Sequence, residues 1–200
     1  MTEISENEKK ALKIIFTDYL TNYNSYNIKG KIGISDVGSL KLLRRLKEKN
    51  ILTSEKMGNA IFYNTNLNNN YIIKLLELIF LDYSNLSSFI KGWIYDLRLF
   101  IPKTKALFLF GSILTKEKNA VDVDVCFILK NPDDYNKLQS QINDMNRKNR
   151  LKIHPMYLTK KEFERKLREK DRPLVEMVKN CVVVHGVELF VGVLKNAQKA

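Results

Sequence analysis

At 200 residues, 44 % of them hydrophobic, the chain can build one domain or two small ones. Its two cysteines lack ligand spacing and its two histidines stand far apart, so a disulfide framework or a zinc site is not expected. The net charge of +12 points to a polyanionic partner, and because both ends of the chain are basic, a nucleic-acid surface can lie on either half.

Ser5 and Glu8 have capping-box spacing, and Leu12, Ile15, Phe16, Tyr19 and Leu20 follow at a helical period, which predicts a helix over about Glu6–Leu20. A short second helix is expected near Ile28–Ile32, within the polar segment Thr21–Ser35 that carries Gly30 and Gly33. Ser35-Asp36 opens a third, with Leu42, Leu43 and Leu46 on one face and Lys41, Arg44 and Arg45 on the other. Ile51–Thr53, a turn-rich tip over Glu55–Asn59 and Ala60–Tyr63 then read as a β-hairpin.

Helix, short helix, basic helix and hairpin in this order resemble the winged helix-turn-helix of bacterial and archaeal transcription regulators. The resemblance implies duplex DNA as a partner, with the third helix in the major groove and the hairpin as a wing on the backbone. By the same resemblance Ser39, Lys41, Arg44 and Arg45 face DNA, and Lys56 does so from the wing.

Asn64–Asn70 is the expected linker, five of its seven residues being asparagine, and it closes a first domain over residues 1–66. Residues 71–102 read as a helical connector. One helix covers Tyr71–Leu81, and a second carries Leu86, Phe89, Ile90, Trp93 and Leu97 and ends before Pro102, with Trp93 in a core or a dimer contact. Charged residues interrupt these apolar windows and the start of the chain lacks a signal-peptide pattern, so a soluble, cytoplasmic protein without a membrane partner is expected.

A third domain, 103–200, is organised around Leu107–Leu129. Leu107–Phe110 is an apolar strand ending at Gly111-Ser112, and Val121–Leu129 is a longer strand broken only by Asp122 and Asp124. Side chains two apart on a strand share a face, so the two carboxylates stand together and call for a cation; hard oxygen donors suit Mg²⁺. The glycine admits a phosphate close to the backbone, and a helix starting at Ser112 would offer N–H groups and a hydroxyl to it. Further on, Tyr135, Leu138, Ile142 and Met145 keep helical spacing, Leu151–Leu158 is a strand, Thr159–Glu162 caps a charged helix, and Cys181–Val184 is a last strand. That charged helix is expected to pair Glu162 with Lys166 and Glu164 with Arg168.

Gly111-Ser112, a spacer and Asp122-Val123-Asp124 on the following strand resemble the DNA polymerase β-like nucleotidyltransferase superfamily. The resemblance implies a minimal α/β (α+β) fold, a short mixed sheet flanked by helices. It also implies a transfer of NMP from a nucleoside triphosphate to an acceptor hydroxyl, with Mg²⁺ on Asp122 and Asp124, one ion or two, and with Gly111, Ser112 and Lys116 at the nucleotide. Some members modify a toxin partner, which extends the resemblance to a protein acceptor. The family's third carboxylate belongs on Leu151–Leu158, which has none; His154 is the residue there able to act as general base near neutral pH. The loop also carries Ile113–Lys116 where many members have arginine and glycine. The alternative is a DNA-binding regulator or antitoxin-like protein whose degenerate transferase domain senses nucleotide or mediates homodimerisation.

Overall fold

The first helix opens where Ser5 and Glu8 predict it. In the computed structural model, which describes residues 4–198, α1 (Glu6–Thr17) carries a full capping box: Ser5 Oγ accepts from the Glu8 N–H, and the Glu8 carboxylate accepts from the Ser5 N–H at 2.8 Å. It stops before Leu20 because Asp18 leaves helical geometry, and its carboxylate collects the hydroxyls of Thr21 and Tyr23 and the ammonium of Lys31. α2 (Ser25–Ile32) starts earlier than expected, since Asn24 and Asn27 form a reciprocal cap made of asparagines. Gly33, at φ +84°, ends it.

α3 (Asp36–Glu48) opens at Ser35 and buries Leu42, Leu43 and Leu46 as expected. It packs against α2, while α1 lies on the second strand of the hairpin formed by β1 (Leu52–Met57) and β2 (Ala60–Thr65). The hairpin tip is shorter than Glu55–Asn59: Glu55, Lys56 and Met57 pair with Phe62, Ile61 and Ala60, leaving Gly58-Asn59 as the turn. Tyr63 also bridges Tyr23, whose carbonyl accepts its N–H at 2.8 Å, so a third extended residue joins the hairpin. The asparagine tract is held by its own amides. Asn66 Nδ2 donates to the Asn50 carbonyl and side-chain oxygens, and Asn70 starts α4 (Asn70–Phe80).

The chain divides into two units, Met1–Ile79 and Phe80–Ala200, the division lying within α4. In the second unit α5 (Ser88–Leu97) is capped by Ser87 and runs on through a 3-10 segment, Arg98–Lys103, that contains Pro102. Then come β3 (Thr104–Phe110), the single turn α6 (Ile113–Lys116), β4 (Asp122–Leu129), α7 (Asp134–Lys148) and β5 (Lys152–Leu158). α8 (Lys160–Arg168), α9 (Arg172–Lys179), β6 (Val182–His185) and α10 (Val187–Ala197) complete the unit.

The four strands form one mixed sheet in the order β5-β4-β3-β6. β3 is antiparallel to both neighbours, and β4 and β5 are parallel, α7 supplying the crossover that a parallel pair requires. One face buries Val123, Val125 and Phe127 against Trp93, Leu97, Phe100, Leu138 and Ile142, so Trp93 belongs to a core. On the other, Phe108 meets the rings of Phe163 on α8 and Phe190 on α10. Cover on both faces explains the near-continuous apolar run of β4.

α9 and α10 have no counterpart in the sequence prediction. Arg172–Lys179 does carry a helical stripe, Leu174, Val175, Met177 and Val178 behind the Asp171 cap and Pro173, but over only eight residues, and Val187–Ala197 is apolar on most sides because it packs deeply. The charges of α8 also pair differently: Glu162 turns back to cap Thr159, and the bridges are Lys160–Glu164, Arg165–Glu169 and Lys166–Asp171. Cys126 is fully buried, which pushes its thiol pKa up, whereas Cys181 is only half-buried. Among the described residues no helix is long and apolar enough to cross a membrane.

Candidate functional site

β4 pairs with β5 so that Asp122 lies beside Lys152 and Asp124 beside His154, while Asp124 also faces Phe110 of β3. Because side chains alternate along a strand, Asp122, Asp124, Lys152 and His154 share one face. Farther along β4 that face carries Cys126 and Ile128 into the core, both fully buried. The carboxylates therefore stand where the apolar cover ends, Asp124 with 22 % of its side chain exposed and His154 with 73 %.

His154 Nδ1 lies 3.1 Å from Asp124 Oδ1. One donor atom from each of Asp122, Asp124 and His154 falls within 4.8 Å of the other two. In a chain of net charge +12, no lysine or arginine among the described residues pairs with either carboxylate. Lys152, on the same face, turns its ammonium to the carbonyls of Asn146 and Asn149 at the end of α7. Tyr157 points to the opposite face, where it stacks on Phe127 and donates to Gln139 at 2.8 Å; burial and the neighbouring Tyr135 push its pKa up to about 12.

Gly111 has φ +79°, and a Cβ built on it would sit 2.0 Å from Asp124 Oδ2. The Asp124 carboxylate thus occupies the space that any other residue at 111 would need. Ser112 follows at the start of α6, its carbonyl accepting the N–H groups of Thr115 and Lys116 and its hydroxyl making no capping bond. The expected helix is one turn long, so its dipole is small and any anion seat rests on the Gly111-Ser112 backbone and the hydroxyl. Lys116 ends that turn, exposed.

Asn146 is a positioning residue with no signal in the sequence. β5 is an edge strand, and Asn146 on α7 pairs with its outer edge at Ile153, accepting the Ile153 N–H at 2.7 Å and donating to its carbonyl at 3.1 Å. The residue before His154 is thereby held as if another strand were present. A cleft of about 520 Å³ opens beside Phe89, Trp93, Asp96, Arg150 and Leu151; Asp122 and Asp124 are not part of its lining.

In the first unit Lys41 and Arg44 are exposed on α3, and Lys56 is exposed beside the hairpin tip. Ser39 does not join them. It is fully buried, and its hydroxyl donates to the carbonyls of Ser25 and Asp36, tying α3 to α2. Arg45 is also committed, its Nε lying 2.9 Å from the carboxylate of buried Glu8, which Lys49 approaches at 3.4 Å. Burial pushes the Glu8 pKa up, but the Ser5 hydrogen bonds, Arg45 and Lys49 outweigh it and hold the group ionised below the usual range.

No protein-family model, no curated protein and no solved structure matches the chain.

Proposed function

We propose that the second unit is a metal-dependent nucleotidyltransferase that moves NMP from a nucleoside triphosphate to an acceptor hydroxyl. The observation that carries this is the pair Asp122 and Asp124 on one face of β4, without a lysine or arginine partner among the described residues, beside a glycine at φ +79° whose missing Cβ leaves room for the Asp124 carboxylate. Two carboxylates so placed fit a divalent cation. Bound there, such an ion would neutralise phosphate charge and polarise the reacting phosphoryl group. Asp122 and Asp124 hold it; Gly111 and Ser112 donate to phosphate oxygens, and Lys116 offers a further positive charge at the loop. The acceptor oxygen bonds to the α-phosphorus, the bond to the bridging oxygen breaks, pyrophosphate leaves, and the hydroxyl proton passes to water. Labelled ATP, CTP, GTP and UTP incubated with the full chain and a divalent cation test this: one or more should leave label on an acceptor, and transfer from none would contradict it.

The first unit is proposed to bind duplex DNA through Lys41 and Arg44 on α3 and Lys56 on the hairpin. Support comes from the order of helices and hairpin, the Tyr23–Tyr63 bridge and the exposure of these three cations. Each phosphate contact contributes roughly 0.9 to the slope of log K against log salt. Lys41→Ala with Arg44→Ala is therefore expected to flatten that slope by about two. Arg45→Ala should change it less, because Arg45 already serves Glu8. An unchanged slope in the double variant would make the basic face a solvated surface.

A further inference from the structure

Resting on the reading of this site as metal-dependent, we propose that His154 is itself a metal ligand. Asp122, Asp124 and His154 then form a mixed carboxylate–imidazole site that prefers a first-row transition ion such as Mn²⁺ or Co²⁺ to Mg²⁺. Three observations converge on it. His154 comes from a different strand, yet the parallel register sets it directly beside Asp124, with Nδ1 and Oδ1 3.1 Å apart. Adjacent ligands of one ion, each about 2.1 Å from it, lie roughly 3 Å apart, so this pair already has the spacing of two neighbouring corners of a coordination shell. Asp122 stands on the same face of β4, within 4.8 Å of both.

The geometry is also fixed from behind. Asn146 pins the backbone at Ile153, and the Gly111 conformation leaves the Asp124 carboxylate the room it occupies. No lysine or arginine among the described residues pairs with either carboxylate, and the imidazole of His154 faces Asp124 alone, so a bound ion is what balances the pair. A set of three carboxylates favours Mg²⁺, whereas replacing one hard oxygen by an imidazole nitrogen moves the preference toward ions that accept nitrogen.

The test uses the full chain with Mn²⁺ and no nucleotide, followed by pulsed electron paramagnetic resonance and calorimetry. Wild type should show echo modulation from a directly bound ¹⁴N, and should bind Mn²⁺ roughly tenfold or more tightly than Mg²⁺. His154→Ala should lose the nitrogen modulation and weaken Mn²⁺ by more than the roughly 10–100-fold that loss of an outer-shell partner costs. His154 is largely exposed, so the variant should fold; His154→Asp provides the second check, retaining metal binding without nitrogen modulation and narrowing the gap between Mn²⁺ and Mg²⁺. Absence of nitrogen modulation in wild type, or its persistence in His154→Ala, would overturn the assignment. Nitrogen-ligated Mn²⁺ without nucleotide transfer would instead leave the metal site standing and sink the transferase.

Discussion

Asp122→Asn together with Asp124→Asn is expected to abolish binding of a divalent cation and, with it, metal-dependent binding of nucleoside triphosphate. The two carboxylates project from one face of β4 and no lysine or arginine among the described residues balances them. Each is a direct ligand, so the joint loss should exceed the roughly 10–100-fold typical of an outer-shell partner. Stability should move the other way. Removing two like charges that repel in the metal-free protein should leave the apo form at least as stable as wild type. A cation at one hundred times its Kd stabilises a protein by about 2.7 kcal/mol, so wild type should gain several degrees in Tm with metal and the variant none. Equal metal-induced shifts in the two proteins would remove the carboxylates from the site.

Gly111→Ala should damage the same function by a different route. At φ +79° any residue with a Cβ is strained by about 1–2 kcal/mol, and here that atom would also fall 2.0 Å from Asp124 Oδ2. The carboxylate is the part able to move, so it should swing away and leave Asp122 and His154 without their middle partner. A modest drop in Tm, a few degrees at most, should accompany loss of most metal affinity. Retained affinity with lowered stability would mean that Gly111 serves only the turn.

Legibility in the sequence followed how local each signal was. Ser5 with Glu8, Ser35 and Thr159 with Glu162 marked helix starts correctly, because a cap is a contact between residues three apart. Asp122 and Asp124 were legible as a pair for the same reason, since strand alternation alone puts them on one face. Pairing across strands was not: the register that sets His154 beside Asp124, and Asn146 against Ile153, depends on how α7 returns the chain. Ser39 and Arg45 show the cost of assigning a helix face by charge and period alone. One is buried under α2 and the other is held by Glu8 of α1, and neither partner is visible from α3 itself.

The most direct measurement of the central claim is the identity of the leaving group. Full-length protein is incubated with each of the four nucleoside triphosphates and Mn²⁺ or Mg²⁺, and pyrophosphate and inorganic phosphate are assayed separately in wild type and in Asp122→Asn with Asp124→Asn. The expected result is pyrophosphate in step with label transferred to an acceptor, from wild type only. Phosphate release in place of pyrophosphate, no release from any nucleotide, or pyrophosphate undiminished in the double variant would contradict it.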